Sequence, residues 1–148
     1  MFTTIEKVIF LQNVDVFSQV PTEQLTYLAA IAEEITVLKD EVVYNQNDPS
    51  DALYLILDGS IRLHRKGQEI TTAGSKDAFG TWALFDEEPR VATATAIEDT
   101  RLLRIDHDDF YELLADNVEI TRAVLRTMVR RLRGLIERVR VEPPQGTS

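Results

Sequence analysis

The 148-residue chain contains no cysteine, which excludes disulfides, thiolate metal sites and a cysteine nucleophile together. Its two histidines, His64 and His107, stand far apart and at no ligand spacing, so both read as surface or structural residues. No apolar run reaches the roughly 18 to 20 residues that cross a bilayer. The first residues lack the charged, apolar and small segments of a secretory signal, and a cytoplasmic chain is expected. Basic residues are scarce: 16 Lys and Arg against 25 Asp and Glu give a net charge of -9, and an acidic body repels nucleic acid. No acid, base and nucleophile gather in one segment, and Glu87-Glu88 reads as a solvated loop, so neither catalysis nor a metal is expected. A length of 148 residues with 44% apolar and 28% charged residues fits one globular domain.

What is present is a change of period along the chain. Ile5, Val8 and Ile9 fall at helical spacing, and Val14, Val16 and Phe17 form a short buried turn before Pro21. Pro21 suits the first turn of a second helix, capped near Ser18 or Thr22 and carrying Leu25, Leu28 and Ala29 on one stripe. From Ile35 to Ile105 the pattern alternates, giving seven or eight short strands broken at Lys39-Asp40, Asn45 to Ser50, Asp58-Gly59 and Lys66-Gly67. Asp58-Gly59 is a hairpin signal. Beyond Asp106 the period is helical again: Asp106 or Asp108 caps one helix and Asn117 ends it. The last helix carries Ile120, Val124, Met128, Leu132, Leu135 and Val139 on a stripe, and Gly134 is expected to interrupt it. The pattern predicts an α+β, mainly β fold, an antiparallel jelly-roll barrel flanked by N-terminal helices and a long C-terminal helix. As a single domain over 1–148, it has helices at about 4–32, the barrel at about 33–106, helices at about 107–141 and a disordered tail at 142–148.

One segment stands apart within this frame. A glycine turn at Gly80, a one-turn apolar helix at Thr81 to Phe85, an acidic loop and Arg90 at the head of the alternating run Val91 to Ala96 describe an anion pocket built largely from backbone. Free N–H groups at the start of a helix favour an anion, and the guanidinium adds a formal charge. The plainer reading of Arg90 is a surface ion pair with Asp77, Asp86, Glu87 or Glu88. Gly80 and Ala92 serve either tight packing or backbone donation to a phosphate. Trp82 and Phe85 read as core more readily than as a base-stacking platform.

Phe79 to Thr93 resembles the phosphate-binding cassette of cyclic-nucleotide-binding domains, whose pattern runs approximately F-G-E-x-A-L, a short loop, P-R and two small residues before a strand. The chain matches at Phe79, Gly80, Ala83, Leu84, Pro89, Arg90 and Ala92. Leu53 to Gly59 is similar to the family's Y-x-I-x-x-G strand and turn, Asn47 stands at a family glycine, and Asp40 and Lys76 stand at or near two others. The resemblance implies a ligand set of Gly80, Thr81, Trp82, Ala83, Arg90, Val91 and Ala92, with Arg90 on the cyclic phosphate. Thr81 replaces the glutamate that in the family accepts the ribose 2'-hydroxyl. Val91 offers no hydroxyl to a guanine, which weighs against cyclic GMP. In the family the base is covered by the final helix, which makes Met128, Leu132 or a nearby arginine a candidate lid.

Two functions follow from the resemblance and the residues. The first is a ligand-sensing regulatory domain that binds cyclic AMP, in preference to cyclic GMP, or a related small anion, and signals through its C-terminal helix without a cofactor. The second is a domain that has lost its ligand and serves as a dimerisation or interaction module of a larger protein. The final helix carries seven arginines and one acid from Ile120 to Arg140, leaving -15 for the rest of the chain. It reads as packing on the barrel or on a second copy in a homodimer, ahead of an anionic membrane or a calmodulin-like groove. Direct DNA binding by this chain is not expected, since no helix-turn-helix follows and such a domain needs about 60 further residues. Fusion to, or docking on, a larger regulatory or membrane protein is the remaining partner expectation.

Overall fold

The structure, a computed structural model, describes residues 2–141, with the side chains of Trp82, Ala83, Arg140 and Val141 excepted. The expected disorder of 142–148 lies outside the described residues. Helix α1 (Thr4–Leu11) opens on a capping box in which the Thr3 hydroxyl accepts from the Glu6 N–H and the Glu6 carboxylate accepts from the Thr3 N–H. A 3₁₀ turn (Asp15–Phe17) leads to α2 (Thr22–Ile31). Pro21 is the N-cap of α2, and no side chain caps it, neither Ser18 nor Thr22.

Eight strands follow: β1 (Ala32–Val37), β2 (Val42–Tyr44), β3 (Ala52–Asp58), β4 (Ile61–Arg65), β5 (Gln68–Ala73), β6 (Ala78–Phe79), β7 (Thr93–Ala96) and β8 (Thr100–Asp106). A second 3₁₀ turn, Thr81–Leu84, lies between β6 and β7. They form two four-stranded antiparallel sheets, ordered β1-β8-β3-β6 and β2-β7-β4-β5. This is the mixed, mainly β, jelly-roll-like architecture that the alternation predicts.

The continuous apolar run of β3 has a geometric cause. Successive side chains of a strand point to opposite faces, and both faces of β3 are covered. Leu53, Leu55 and Leu57 join one core with α1, α2, Phe110 and Ile120, while Ala52, Tyr54 and Ile56 join a second core inside the barrel. Strand β8 repeats the division, Leu103 and Ile105 on the helical side and Leu102 on the barrel side.

The hairpin expected at Asp58-Gly59 is instead a corner between sheets, because β3 pairs with β6 and β8 whereas β4 pairs with β5 and β7. Gly59 adopts φ 108, and a Cβ there would meet the Thr100 Cα at 2.7 Å. The signal specified a tight reversal, and the other sheet took the returning strand. Lys66-Gly67 is the true hairpin, joining β4 to β5. Asp40, Asn47 and Lys76 hold φ of 72, 74 and 76, so the left-handed turns persist where the family glycines are absent.

Helix α3 (His107–Asp116) is capped by the Asp106 carboxylate, which accepts from the Asp108 and Asp109 N–H groups, and Asn117 separates it from α4 (Val118–Val141). Gly134 does not interrupt α4, which runs through it. The six-residue apolar stripe also needs correction. Each four-residue step turns about 40° around a helix of 3.6 residues per turn, so the stripe drifts from the core at Ile120 and Val124 to solvent at Leu132, Leu135 and Val139. The core face is Ile120, Ala123, Val124 and Thr127, and a separate exposed stripe runs through Leu125, Val129, Leu132, Ile136 and Val139.

Gly59→Ala is expected to destabilise the fold by about 2–3 kcal/mol in urea unfolding, combining an adverse φ with a backbone clash. Lys76→Gly, which relieves a left-handed non-glycine residue, raises stability by up to about 1 kcal/mol. A Gly59→Ala midpoint equal to that of the unsubstituted chain contradicts the corner geometry.

Candidate functional site

Arg90 lies just before β7 and is fixed by its backbone before its side chain is considered. Its N–H donates to the Asp48 carbonyl at 2.9 Å and its carbonyl accepts from the Asn47 N–H at 2.8 Å, joining the cassette loop to the turn that the left-handed Asn47 makes. The side chain then turns inward and is only 5% exposed. Nη2 donates to the Ala52 carbonyl at 2.7 Å and to Asp51 Oδ1 at 3.3 Å, and Nη1 to the Gly80 carbonyl at 3.4 Å. Cζ sits 4.0 Å from the centroid of the Tyr44 ring, within the range of a cation–π contact. Among the described residues Nε is buried with no hydrogen-bond partner, an unmet charged donor of the kind that native interiors seldom leave.

Gly80 is required by the same contact. Its φ is 72, and a Cβ there would come within 2.5 Å of Arg90 Nη1. Stacked Tyr54 and Phe79, with centroids 5.3 Å apart, and Tyr44, 5.9 Å from Tyr54, build an aromatic wall beside the guanidinium. Burial holds the Tyr44 hydroxyl above its ordinary pKa, against the opposing pull of the Arg90 charge.

Tyr44, Phe79, Gly80 and Arg90 border a cleft of about 540 Å³, a volume suited to a small organic ligand. Gly80, Thr81, Arg90, Val91 and Ala92 all line it. Trp82 and Ala83 belong to the adjoining 3₁₀ turn, and their side chains lie outside the described residues. Val91 is 70% exposed and Ala92 is buried. Phe85 is packed against the helical core, edge-on to Phe110 at 5.9 Å. Asp86 and Glu88 stand on the lining but do not pair with Arg90. The carboxylate beside it is Asp51, which also reaches Arg104 Nη2 at 3.3 Å, and Arg104 in turn reaches Asp106 at 3.5 Å.

Tyr44, Ser50 and Leu63 of the lining, and Asp51 behind it, are absent from the set read from sequence. Tyr44 carries a weak signal, an aromatic residue closing a strand just before the left-handed turn. Asp51 carries none, because its pairing with Arg90 spans 39 residues.

The geometry defines a jelly roll with a buried guanidinium beside an aromatic wall. Residues 34–117 match the sequence profile of the "Cyclic nucleotide-binding domain" family, and the chain belongs to that family. It is 30% identical over 128 residues to the "CRP-like cAMP-activated global transcriptional regulator" of Mycobacterium tuberculosis, covering 83% of this chain and 57% of the relative. It superposes on the N-terminal domain of a transcriptional regulator from Streptomyces coelicolor A3(2) with a TM-score of 0.81 and 31% identity, over 85% of this chain and 94% of the other. It is also 31% identical over 123 residues to "Lysophospholipase nte1" of Aspergillus terreus, where the match covers 80% of this chain and 8% of the enzyme. The chain thus spans little more than half the length of the mycobacterial relative and a small fraction of the fungal one. Among the described residues no helix is long and apolar enough to cross a membrane.

Gly80→Ala is expected to cost about 1–2 kcal/mol in urea unfolding, the usual price of a left-handed residue acquiring a Cβ. It also displaces the guanidinium, read as a shifted Arg90 Nε–H resonance. An unmoved resonance contradicts the close approach.

Proposed function

We propose that the chain is a ligand-sensing regulatory domain whose cleft takes a cyclic nucleotide, cyclic AMP ahead of cyclic GMP, or a related small anion. The observation that carries this reading is Arg90: a buried guanidinium with an unmet Nε–H on the wall of a nucleotide-sized cleft. One charged group suits the single negative charge of a cyclic phosphodiester, and the aromatic wall suits a base or sugar face. The cyclic AMP in the name of the mycobacterial relative supports the choice of nucleotide. No catalytic residue is assigned, and a cytoplasmic location accompanies the reading.

The output runs through α4. Phe110 of α3 touches Phe85 beside the cassette and Phe17 of the first 3₁₀ turn, at centroid distances of 5.9 and 6.0 Å. A ligand that draws the cassette inward moves Phe85, and its differential contact is passed to the base of α4 through Phe110. The exposed stripe Leu125, Val129, Leu132, Ile136 and Val139 has the 4-3-4-3 spacing of a coiled-coil seam. A homodimer through this seam is parallel. Arg126 and Arg133 follow the Leu125 and Leu132 positions, and would face one another in an antiparallel pair. In a parallel pair they face the uncharged Thr121 and Met128 of the second copy. Fusion to an effector domain or docking on a larger regulatory protein is the expected setting, and no direct contact with DNA is assigned to residues 1–148.

A second reading is favoured by one specific feature. The Arg90 guanidinium is already engaged by two backbone carbonyls and Asp51, and Thr81 lacks the carboxylate that the family directs at a ribose. On this reading the domain binds no ligand and acts through its seam alone.

Calorimetric titration with cyclic AMP decides between them. Binding is expected, abolished in Arg90→Ala and strengthened by roughly 10- to 100-fold in Thr81→Glu, which restores a charged hydrogen bond. No heat at millimolar ligand in both the unsubstituted chain and Thr81→Glu favours the second reading. Sedimentation is expected to show a dimer that Val129→Arg converts to monomer. A monomer at all concentrations contradicts the seam.

A further inference from the structure

Helix α4 has a second unusual feature on the side away from its apolar stripe. Gly134 lies inside the helix, where glycine is a poor helix former, yet a Cβ there would meet nothing within 4 Å among the described residues. Close packing therefore does not account for the residue. The open space belongs to a groove of about 480 Å³ between α4 and the segment around the first 3₁₀ turn, again within the range of small-ligand sites. Arg130, Arg131 and Arg138 border it on the helix, and Ser18 and Gln19 border it opposite. Arg131 is paired with Asp15. Among the described residues, Arg130 and Arg138 have no carboxylate partner, and the Arg138 Nε reaches only the Gly134 carbonyl, at 3.4 Å. The groove thus carries two uncompensated guanidinium charges on a chain whose net charge is -9.

We propose that this groove is a second anion site, separate from the Arg90 cleft, for a small phosphate-bearing molecule with about two negative charges, such as a diphosphate or a phosphomonoester. Guanidinium forks match phosphate oxygens in geometry as well as charge. Two of them flank a helical surface that has no side chain in the way, and a hydroxyl and an amide supply neutral partners across the groove. The site is compatible with the seam, since Gly134 lies about 160° around the helix from Leu132 and Ile136. It bridges α4 to the 3₁₀ turn whose Asp15 pairs with Arg131, so its occupant stiffens the helix against the body. Nothing in it depends on whether the Arg90 cleft binds a nucleotide.

The test is calorimetric titration of the 148-residue chain with inorganic pyrophosphate. Saturable binding is expected with a Kd below about 1 mM, weakened about tenfold in Arg130→Ala/Arg138→Ala. It is unchanged in Arg122→Ala/Arg126→Ala, which removes the same charge from the same helix outside the groove. Gly134→Leu fills the groove with a better helix former: thermal stability is retained or raised while binding is lost. The proposal is overturned by absence of saturable heat, by equal weakening in the two arginine pairs, or by full binding in Gly134→Leu.

Discussion

A guanidinium sealed almost completely inside a small barrel sets the terms for the residues around it. Removing such a charge from water costs several kcal/mol even after relaxation. Here the cost is offset by the Ala52 and Gly80 carbonyls, Asp51 and the face of Tyr44. Each partner imposes a condition. Position 80 must lack a side chain, the Asn47 turn must be left-handed so that its neighbours can pair with the Arg90 backbone, and Ala52 must present its carbonyl from the end of β3. A single cation thereby ties together the cassette, the second turn and the central strand.

That strand explains why the architecture was legible from the chain. Because β3 divides its side chains between two cores, it appears as an unbroken apolar run bounded by turn residues, and a strand covered on both faces is the economical reading. The turns were legible for a related reason: Asn, Asp and Lys at φ near +70° still mark reversals, since the conformation is local. What a local signal cannot carry is the identity of the strand that receives the chain afterward. Asp58-Gly59 has the residues of a hairpin, and only the pairing of β4 with β5 and β7 makes it a corner.

The same limit divides the site. Gly80, Arg90 and Ala92 sit within one short segment whose order is itself a pattern, and the structure brings them to one cleft. Tyr44 and Leu63 reach that cleft from other strands, and Asp51 reaches Arg90 from behind it, by contacts that span tens of residues. No spacing rule connects an aspartate in one loop to an arginine 39 residues later. The plainer alternative for Arg90 was a surface ion pair with acids near it in sequence. Nearness in sequence favoured them, but the inward turn of the side chain put Asp51 within reach and left Asp86 and Glu88 on the lining.

Helix α4 shows how one regular element takes up different duties along its length. A repeat of four drifts about 40° per step around the axis, so a stripe that begins in the core must leave it within three or four turns. The arrangement found here does not resist that drift. The first half is held to the body by Ile120, Ala123, Val124 and Thr127, and the second half extends past the core with its apolar side chains gathered on a new face. Arginines occupy the flanks, and Arg131 pairs with Asp15 of the body. A helix that followed a strict core period would have lain on the barrel to its end and presented nothing outward. The departure from that period is what leaves two faces of the second half available, one apolar and one cationic.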